Sequence, residues 1–225
     1  MNRASYYQQL PAEGGLVSAC HMALTNTDLA GKHILDIGCR RGKGAYKLSE
    51  LAGPQGFVLG IDWREAFVAQ AQEGMAAALD RSGLSESNLA FRTAYPENLR
   101  DAAIEDGSFD VVYLNNGITL LYDPLEALRE CARALTSEGL LILEVVVAEE
   151  PHTAAAIEAA RAAGSSIGAA CAEPELLAWL AAAGFGKPAV VERTQVDPSV
   201  DNLDPAAYPG RFFALTLQAR KSLFK

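Results

Sequence analysis

Two acids with a glycine-spaced turn between them carry most of the chemistry this chain can do. Asp36 lies in the apolar run His33-Ile34-Leu35-Asp36-Ile37, and the turn Gly38-Cys39-Arg40-Arg41-Gly42-Lys43-Gly44 follows it. Glycines in such a turn take up positive φ and let a ligand approach the backbone. A helix pattern, Ala45 to Leu51, opens directly afterwards, so backbone N–H groups point at whatever the turn holds. Asp62 ends the next apolar run, Phe57-Val58-Leu59-Gly60-Ile61. A carboxylate there can accept hydrogen bonds from both hydroxyls of a ribose. The combination points to an adenosine-containing cofactor, held by Asp36, Gly38, Cys39, Arg40, Gly42 and Asp62, with the Trp63 indole laid against the adenine. The competing reading of Asp62 is a strand-end acid that caps the following helix.

Two phosphate-binding cradles fail on spacing. A dinucleotide fingerprint needs G-x-G-x-x-G, and its second glycine would fall on Arg40. A P-loop needs four residues between its first two glycines and then Lys-Ser/Thr; Gly38 and Gly42 enclose three, and Gly44 follows Lys43. An NAD-dependent reductase is therefore disfavoured.

Later segments add to the cradle. In Thr93-Ala94-Tyr95-Pro96-Glu97, Tyr95 and Pro96 can wall the adenine. Glu97 or a main-chain group can bond its edge, or Glu97 simply sits in a first helical turn. Phe109-Asp110-Val111-Val112-Tyr113-Leu114-Asn115-Asn116-Gly117 puts Asn115 and Asn116 at a strand's carboxyl end, where open α/β sheets bind ligands. Asn115 joins the cofactor set; Asn116 is either a substrate-side group or a turn residue. No Ser/His/Asp set or carboxylate pair stands out, so no catalytic residue is assigned. Cys20, Cys39, Cys131 and Cys171 show no metal-ligand spacing, and Cys131, inside a helix pattern, reads as a buried thiol. His152, beside Pro151, is either a base or a solvated loop histidine.

The elements that must position these groups alternate. Strand patterns lie at 33–37, 57–61, 88–93, 109–115 and 139–147, and helix patterns at 43–52, 64–82 and 123–136. Asp123 caps the last of these, with Pro124 in its first turn and Glu126 three residues on. Alternation means right-handed crossovers and a parallel sheet. Leu140 to Val147 is nearly continuous apolar sequence, as in a strand buried on both faces, but Glu144 interrupts it. Helices follow near 153–163 and from Glu173 to Gly184, then strands near 188–196 and 211–219, separated by a turn-rich stretch. The last pair brings one antiparallel strand into the sheet. The expected fold is α/β, a doubly wound, seven-stranded, mostly parallel sheet in a single domain over 1–225, with an N-terminal arm (1–30) and a cap segment (148–172). Residues 1–15 read as a loose arm, and Leu16 to Leu29 carries helical spacing. Arm and cap can close over the strand ends, bringing Tyr6, Tyr7 and His152 to a substrate.

The balance of 28 acidic against 19 basic side chains, net charge −9, sets the whole molecule against a nucleic-acid partner, although Arg40, Arg41, Lys43 and Lys47 cluster. No apolar run reaches transmembrane length and the first residues have no apolar signal core. The expectation is a soluble cytoplasmic protein with reduced thiols and no membrane partner.

With these residues in view, the chain resembles the class I S-adenosylmethionine-dependent methyltransferases. The motifs are Ile34-Leu35-Asp36-Ile37-Gly38-Cys39, Gly60-Ile61-Asp62, Phe109-Asp110-Val111-Val112 and Ala132-Arg133-Ala134-Leu135-Thr136-Ser137-Glu138-Gly139, in family order over roughly residues 30–150. Leu51 to Asp62, Ser87 to Phe91 and Ala94 to Leu99 are most similar to the arsenite methyltransferase branch. The resemblance implies S-adenosyl-L-methionine as cofactor, a small-molecule methyl acceptor and in-line displacement at the sulfonium methyl. Two departures stand out. Arg40 replaces the second glycine of the family's cofactor turn, where its side chain must point away, narrow the methionine pocket or meet the cofactor carboxylate. The arsenic-binding cysteines of that branch align with Asn116 and near Ser166, with Cys171 displaced by five residues. The resemblance thus implies a kept cofactor site and a lost arsenic site; the alternative is a non-catalytic S-adenosylmethionine-binding module or partner subunit.

Overall fold

The computed structural model describes residues 1–12, 22, 24, 27–201, 203, 204 and 206–222. Five parallel strands form the core of the sheet: β1 (His33–Ile37), β2 (Phe57–Asp62), β3 (Leu89–Thr93), β4 (Phe109–Asn115) and β5 (Leu135–Ala148). The two-residue β6 (Cys171–Ala172) pairs with the end of β5. β7 (Ala189–Val196) and β8 (Phe212–Arg220) complete the order β3-β2-β1-β4-β5-β8-β7, with β8 antiparallel to both neighbours. The seven-stranded path is the expected one; β6 is an addition. Strand order reverses direction between β1 and β4, and a crevice opens there at the carboxyl ends.

Helices cover both faces: α2 (Lys43–Ala52), α3 (Glu65–Glu73), α4 (Met75–Ser82), α5 (Pro124–Ala134), α6 (Ala154–Ala163) and α7 (Glu173–Ala182). Alternate strand residues face opposite ways. Leu35, Leu59, Val112 and Leu141 pack with Leu128 of α5 and Leu176 of α7. Ile34, Val58, Val111 and Ile142 pack with Leu48 of α2 and Val68 of α3.

Several expected boundaries move. The helix over 64–82 breaks at Gly74, where a Cβ would lie 2.2 Å from the Tyr46 hydroxyl. That hydroxyl donates to Ala71 O at 2.6 Å, so Tyr46 ends one helix and only glycine leaves it room. The helix over 123–136 stops at Ala134, because β5 starts at Leu135, opposite Phe109, ahead of an irregularity in the β4–β5 register. The final helix ends at Ala182, before Gly184. Asp123 does cap α5, its Oδ1 accepting from Glu126 N at 2.9 Å.

The first residues are not a loose arm. They begin with α1 (Arg3–Gln9), capped by Asn2, whose Oδ1 accepts from Ser5 N at 2.9 Å. Tyr7 anchors the helix in the core and Leu10 follows it there. Periodicity missed α1 because a single buried aromatic, Tyr7, not an apolar stripe, holds it. The helical spacing over 16–29 falls largely outside the described residues; 27–29 are irregular.

Candidate active site

The Gly38–Gly44 turn is held against the neighbouring strand. Gly38 and Cys39 both donate N–H bonds to Ile61 O, each at 2.9 Å. Gly38 has φ +74°, and nothing lies within 4 Å of where its Cβ would be, so a ligand can approach the backbone there. Gly42, φ +84°, serves differently: a Cβ would strike Tyr46 and Phe91 at 2.8–2.9 Å, so it permits packing at the head of α2.

Asp62 is 1 % exposed. Its Oδ2 accepts from Arg40 N at 3.0 Å and its Oδ1 from Arg64 N at 2.9 Å. Burial raises its carboxyl above the usual value, against these two hydrogen bonds and the charges of Arg64 and Arg40. Asp36 is also buried, and its Oδ2 has no hydrogen-bond partner among the described residues. Burial first, then the charge of Asp62, pushes its carboxyl up to about 7. An acceptor so placed lacks a donor, and a cationic ligand group would supply one.

Both acids line one cavity of about 610 Å³ over the crevice. Of the sequence-chosen residues it brings together Asp36, Gly38, Cys39, Arg40, Asp62, Trp63, Pro96, Asn115 and Asn116. Gly42, Tyr95, Glu97, Tyr6, Tyr7 and His152 do not line it. Glu97 turns instead to Tyr7, whose hydroxyl donates to Oε1 at 2.6 Å, and to Asp123 N at 3.2 Å. Tyr95 stacks on Tyr7, with ring centres 5.3 Å apart, and Trp63 lies 4.7 Å from Tyr7 on another side. Tyr6 donates to Leu120 O at 2.8 Å. These aromatic groups buttress the cavity wall from behind. His152 packs between Tyr208 and Phe212, at the start of β8, and both its ring nitrogens are buried.

Arg40 lines the cavity with its side chain tied down. Its backbone adopts φ +48°, the conformation a glycine takes easily. Its guanidinium lies 5.3 Å from the Phe67 ring and donates to Ala12 O at 3.0 Å. Arg64 grips the same segment, donating to Leu10 O at 2.5 Å and Pro11 O at 3.0 Å. Asp62 holds the backbone of both arginines, and their side chains hold the strap 10–12 over the cavity mouth. From the other side, Gly164 at the end of α6 lines the cavity, and Arg161 Nε donates to Thr119 O at 2.9 Å. The sequence reading missed Arg64, the strap, Tyr113 and Glu144; only Glu144, an acid inside an apolar run, left a signal.

Residues 28–184 match the family described as Methyltransferase domain. The chain belongs to that family. Its fold is shared with solved S-adenosylmethionine-dependent methyltransferases. An arsenite methyltransferase of Aquipseudomonas alcaligenes is 36 % identical over 121 residues, 54 % of this chain and 34 % of that protein. A demethylmenaquinone methyltransferase of Lactococcus lactis is 32 % identical over 115 residues, 51 % of this chain and 42 % of that one. The methyltransferase chain thus aligns to less than half the length of these relatives. The solved structure of CrArsM, an arsenic (III) S-adenosylmethionine methyltransferase from Chlamydomonas reinhardtii, superposes with TM-score 0.80 at 24 % identity, over 98 % of this chain and 71 % of that one.

Proposed function

We propose that this protein transfers the methyl group of S-adenosylmethionine to a small molecule other than arsenite. The observation that carries the reading is the pair Asp36 and Asp62, at the ends of adjacent strands on either side of an open glycine turn. The residues fit the cofactor. Each Asp62 oxygen keeps a lone pair for a ribose hydroxyl beyond the amide it already accepts. Asp36 Oδ2 is placed for the ammonium of the methionine portion. Gly38 and Cys39 give close backbone approach, Trp63 and Pro96 flank the adenine, and Asn115 closes the floor. The bound cofactor supplies an electrophilic methyl on sulfur, and the chain's task is to align an acceptor with it and keep water out.

Arsenite is disfavoured by the ligands on offer. Asn116 Nδ2 donates to Ser166 Oγ at 3.1 Å, a neutral, hard pair. Burial pushes the Cys131 and Cys171 thiols up to about 12, and a thiol rather than a thiolate is a poor ligand for a soft centre. Among the described residues no group of three His, Cys, Asp or Glu is placed to hold a metal ion. The alternative of a non-catalytic binding module drew support from Arg40 and from the missing thiols; with the Arg40 guanidinium on the strap, only the second ground stands. Arm and cap belong, on this reading, to the same domain as the sheet and form its cover. Incubation with S-adenosylmethionine and a panel of hydroxyl, amine and thiol acceptors tests the activity; the reading requires S-adenosylhomocysteine to form with at least one, and none across the panel counts against it.

A further inference from the structure

The cavity floor holds an acid–phenol pair. Glu144 on β5 is 1 % exposed and in register with Asn115 of β4 and Thr216 of β8. Asp36 is in register with Tyr113, so Asp36, Tyr113, Asn115 and Glu144 share one face of the sheet across three neighbouring strands. The Tyr113 hydroxyl donates to Glu144 Oε1 at 2.6 Å and accepts from Asn115 Nδ2 at 3.0 Å. Glu144 Oε2 accepts from Met22 N at 3.0 Å. Both carboxyl oxygens therefore accept hydrogen bonds. Tyr113 and Asn115 line the cavity; Glu144 does not, and lies behind Tyr113. A phenol oxygen has one proton and two lone pairs, so Tyr113 keeps one acceptor position for a ligand. Burial, then the Glu144 charge, holds its own proton far above the usual phenol range, so Tyr113 passes protons on and does not act as a phenolate.

We propose that Tyr113 and Glu144 form a proton relay for the methyl acceptor, and that the acceptor is a hydroxyl of phenol type. This rests on the methyltransferase reading above. The acceptor O–H donates to Tyr113 Oη. Its proton moves to that oxygen as the Tyr113 proton moves to Glu144 Oε1, and the acceptor oxygen keeps the electron pair that attacks the methyl carbon. Glu144 is left neutral and later returns its proton to solvent. A thiol sheds its proton near neutral pH unaided, whereas a hydroxyl does not, so a buried relay has work only for the latter.

The probes are phenol and 4-nitrophenol, with the full chain saturated by S-adenosylhomocysteine. Both phenols should bind to the wild type in calorimetry. Glu144→Gln, nearly isosteric, should still bind them and S-adenosylhomocysteine. With S-adenosylmethionine, Glu144→Gln should slow transfer to phenol by about 100-fold or more, the usual contribution of a general base. Transfer to 4-nitrophenol ionised in advance should hardly change. Equal losses with both phenols, or no phenol binding, would overturn the relay and leave the cofactor reading standing. Failure of the wild type to bind S-adenosylhomocysteine would overturn the cofactor reading itself.

Discussion

Asn116 and Ser166 are hydrogen-bonded to each other across 50 residues of sequence, joining the end of β4 to the loop after α6, with both side chains buried. Asn116 sits at φ +47°, a conformation asparagine tolerates better than most residues. The resemblance to the arsenite branch implies thiolates at Asn116 and near Ser166; here the two residues tie the loop after α6 to the sheet. With arsenite, glutathione and S-adenosylmethionine, methylated arsenic should stay at background. Product at the rate of a true arsenite methyltransferase, followed by chromatography with arsenic detection, would contradict this.

Asp36 should make cofactor binding pH-dependent. In the unfolded chain its carboxyl titrates near the usual value, about 3.9, whereas in the fold it is pushed up to about 7. Between those values the folded protein holds a proton that the unfolded chain has lost, so this group's contribution to stability falls as pH rises across the window. Asp36→Asn removes the penalty, so the variant should gain on the wild type in urea unfolding as pH goes from about 4 to 7. A ligand ammonium favours the ionised form. Below about 7, binding must expel the proton, so S-adenosylhomocysteine affinity should drop by up to about tenfold per pH unit and level off above. Calorimetry on Asp36→Asn should give a flat profile; a wild-type profile without slope would remove Asp36 from the ammonium site.

Tyr7 is the keystone of the N-terminal helix. Tyr7→Phe keeps the ring against Trp63 and Tyr95 but takes a donor from Glu97, whose Oε2 already has no partner among the described residues. A hydrogen bond to a buried charged group is worth about 1.5–3 kcal/mol, and a loss of that size should appear in urea unfolding. No measurable loss would mean that water replaces the hydroxyl.

Arg64→Ala releases two of the carbonyls of the strap, at Leu10 and Pro11. Hydrogen exchange should show residues 1–12 protected on S-adenosylhomocysteine binding in the wild type, together with 148–172, and much less in the variant. If neither segment responds while the Gly38–Gly44 turn does, arm and cap are not a cover.

The parts of this site that could be read from sequence are those set by local geometry. An acid one residue from the end of β1, glycines at positive φ and a second strand ending in Asp62 announce themselves because each constraint is met within a few residues. Asp123 and Pro124 announced α5 for the same reason. What stayed hidden depends on distant partners. Glu97 is as plausible on an adenine edge as in a helical turn until Tyr7, 90 residues away, is seen to take it. Tyr113 looks like core filler until β5 brings Glu144 beside it. Arg40 stayed open between pointing away, narrowing the methionine pocket and meeting the cofactor carboxylate, because sequence does not show that its side chain reaches the Ala12 carbonyl.

The central claim is that the turn between Asp36 and Asp62 holds S-adenosylmethionine by its ribose and methionine ends. Titration calorimetry of S-adenosylhomocysteine into wild type and Asp62→Ala tests it most directly, with NADH as the comparison ligand and a melting curve to confirm that the variant is folded. Losing the ribose bonds to a charged acceptor, each worth about 1.5–3 kcal/mol, should weaken binding at least about tenfold. NADH should give no heat. Equal affinity in the two proteins, or a wild type that takes NADH and ignores S-adenosylhomocysteine, would contradict it.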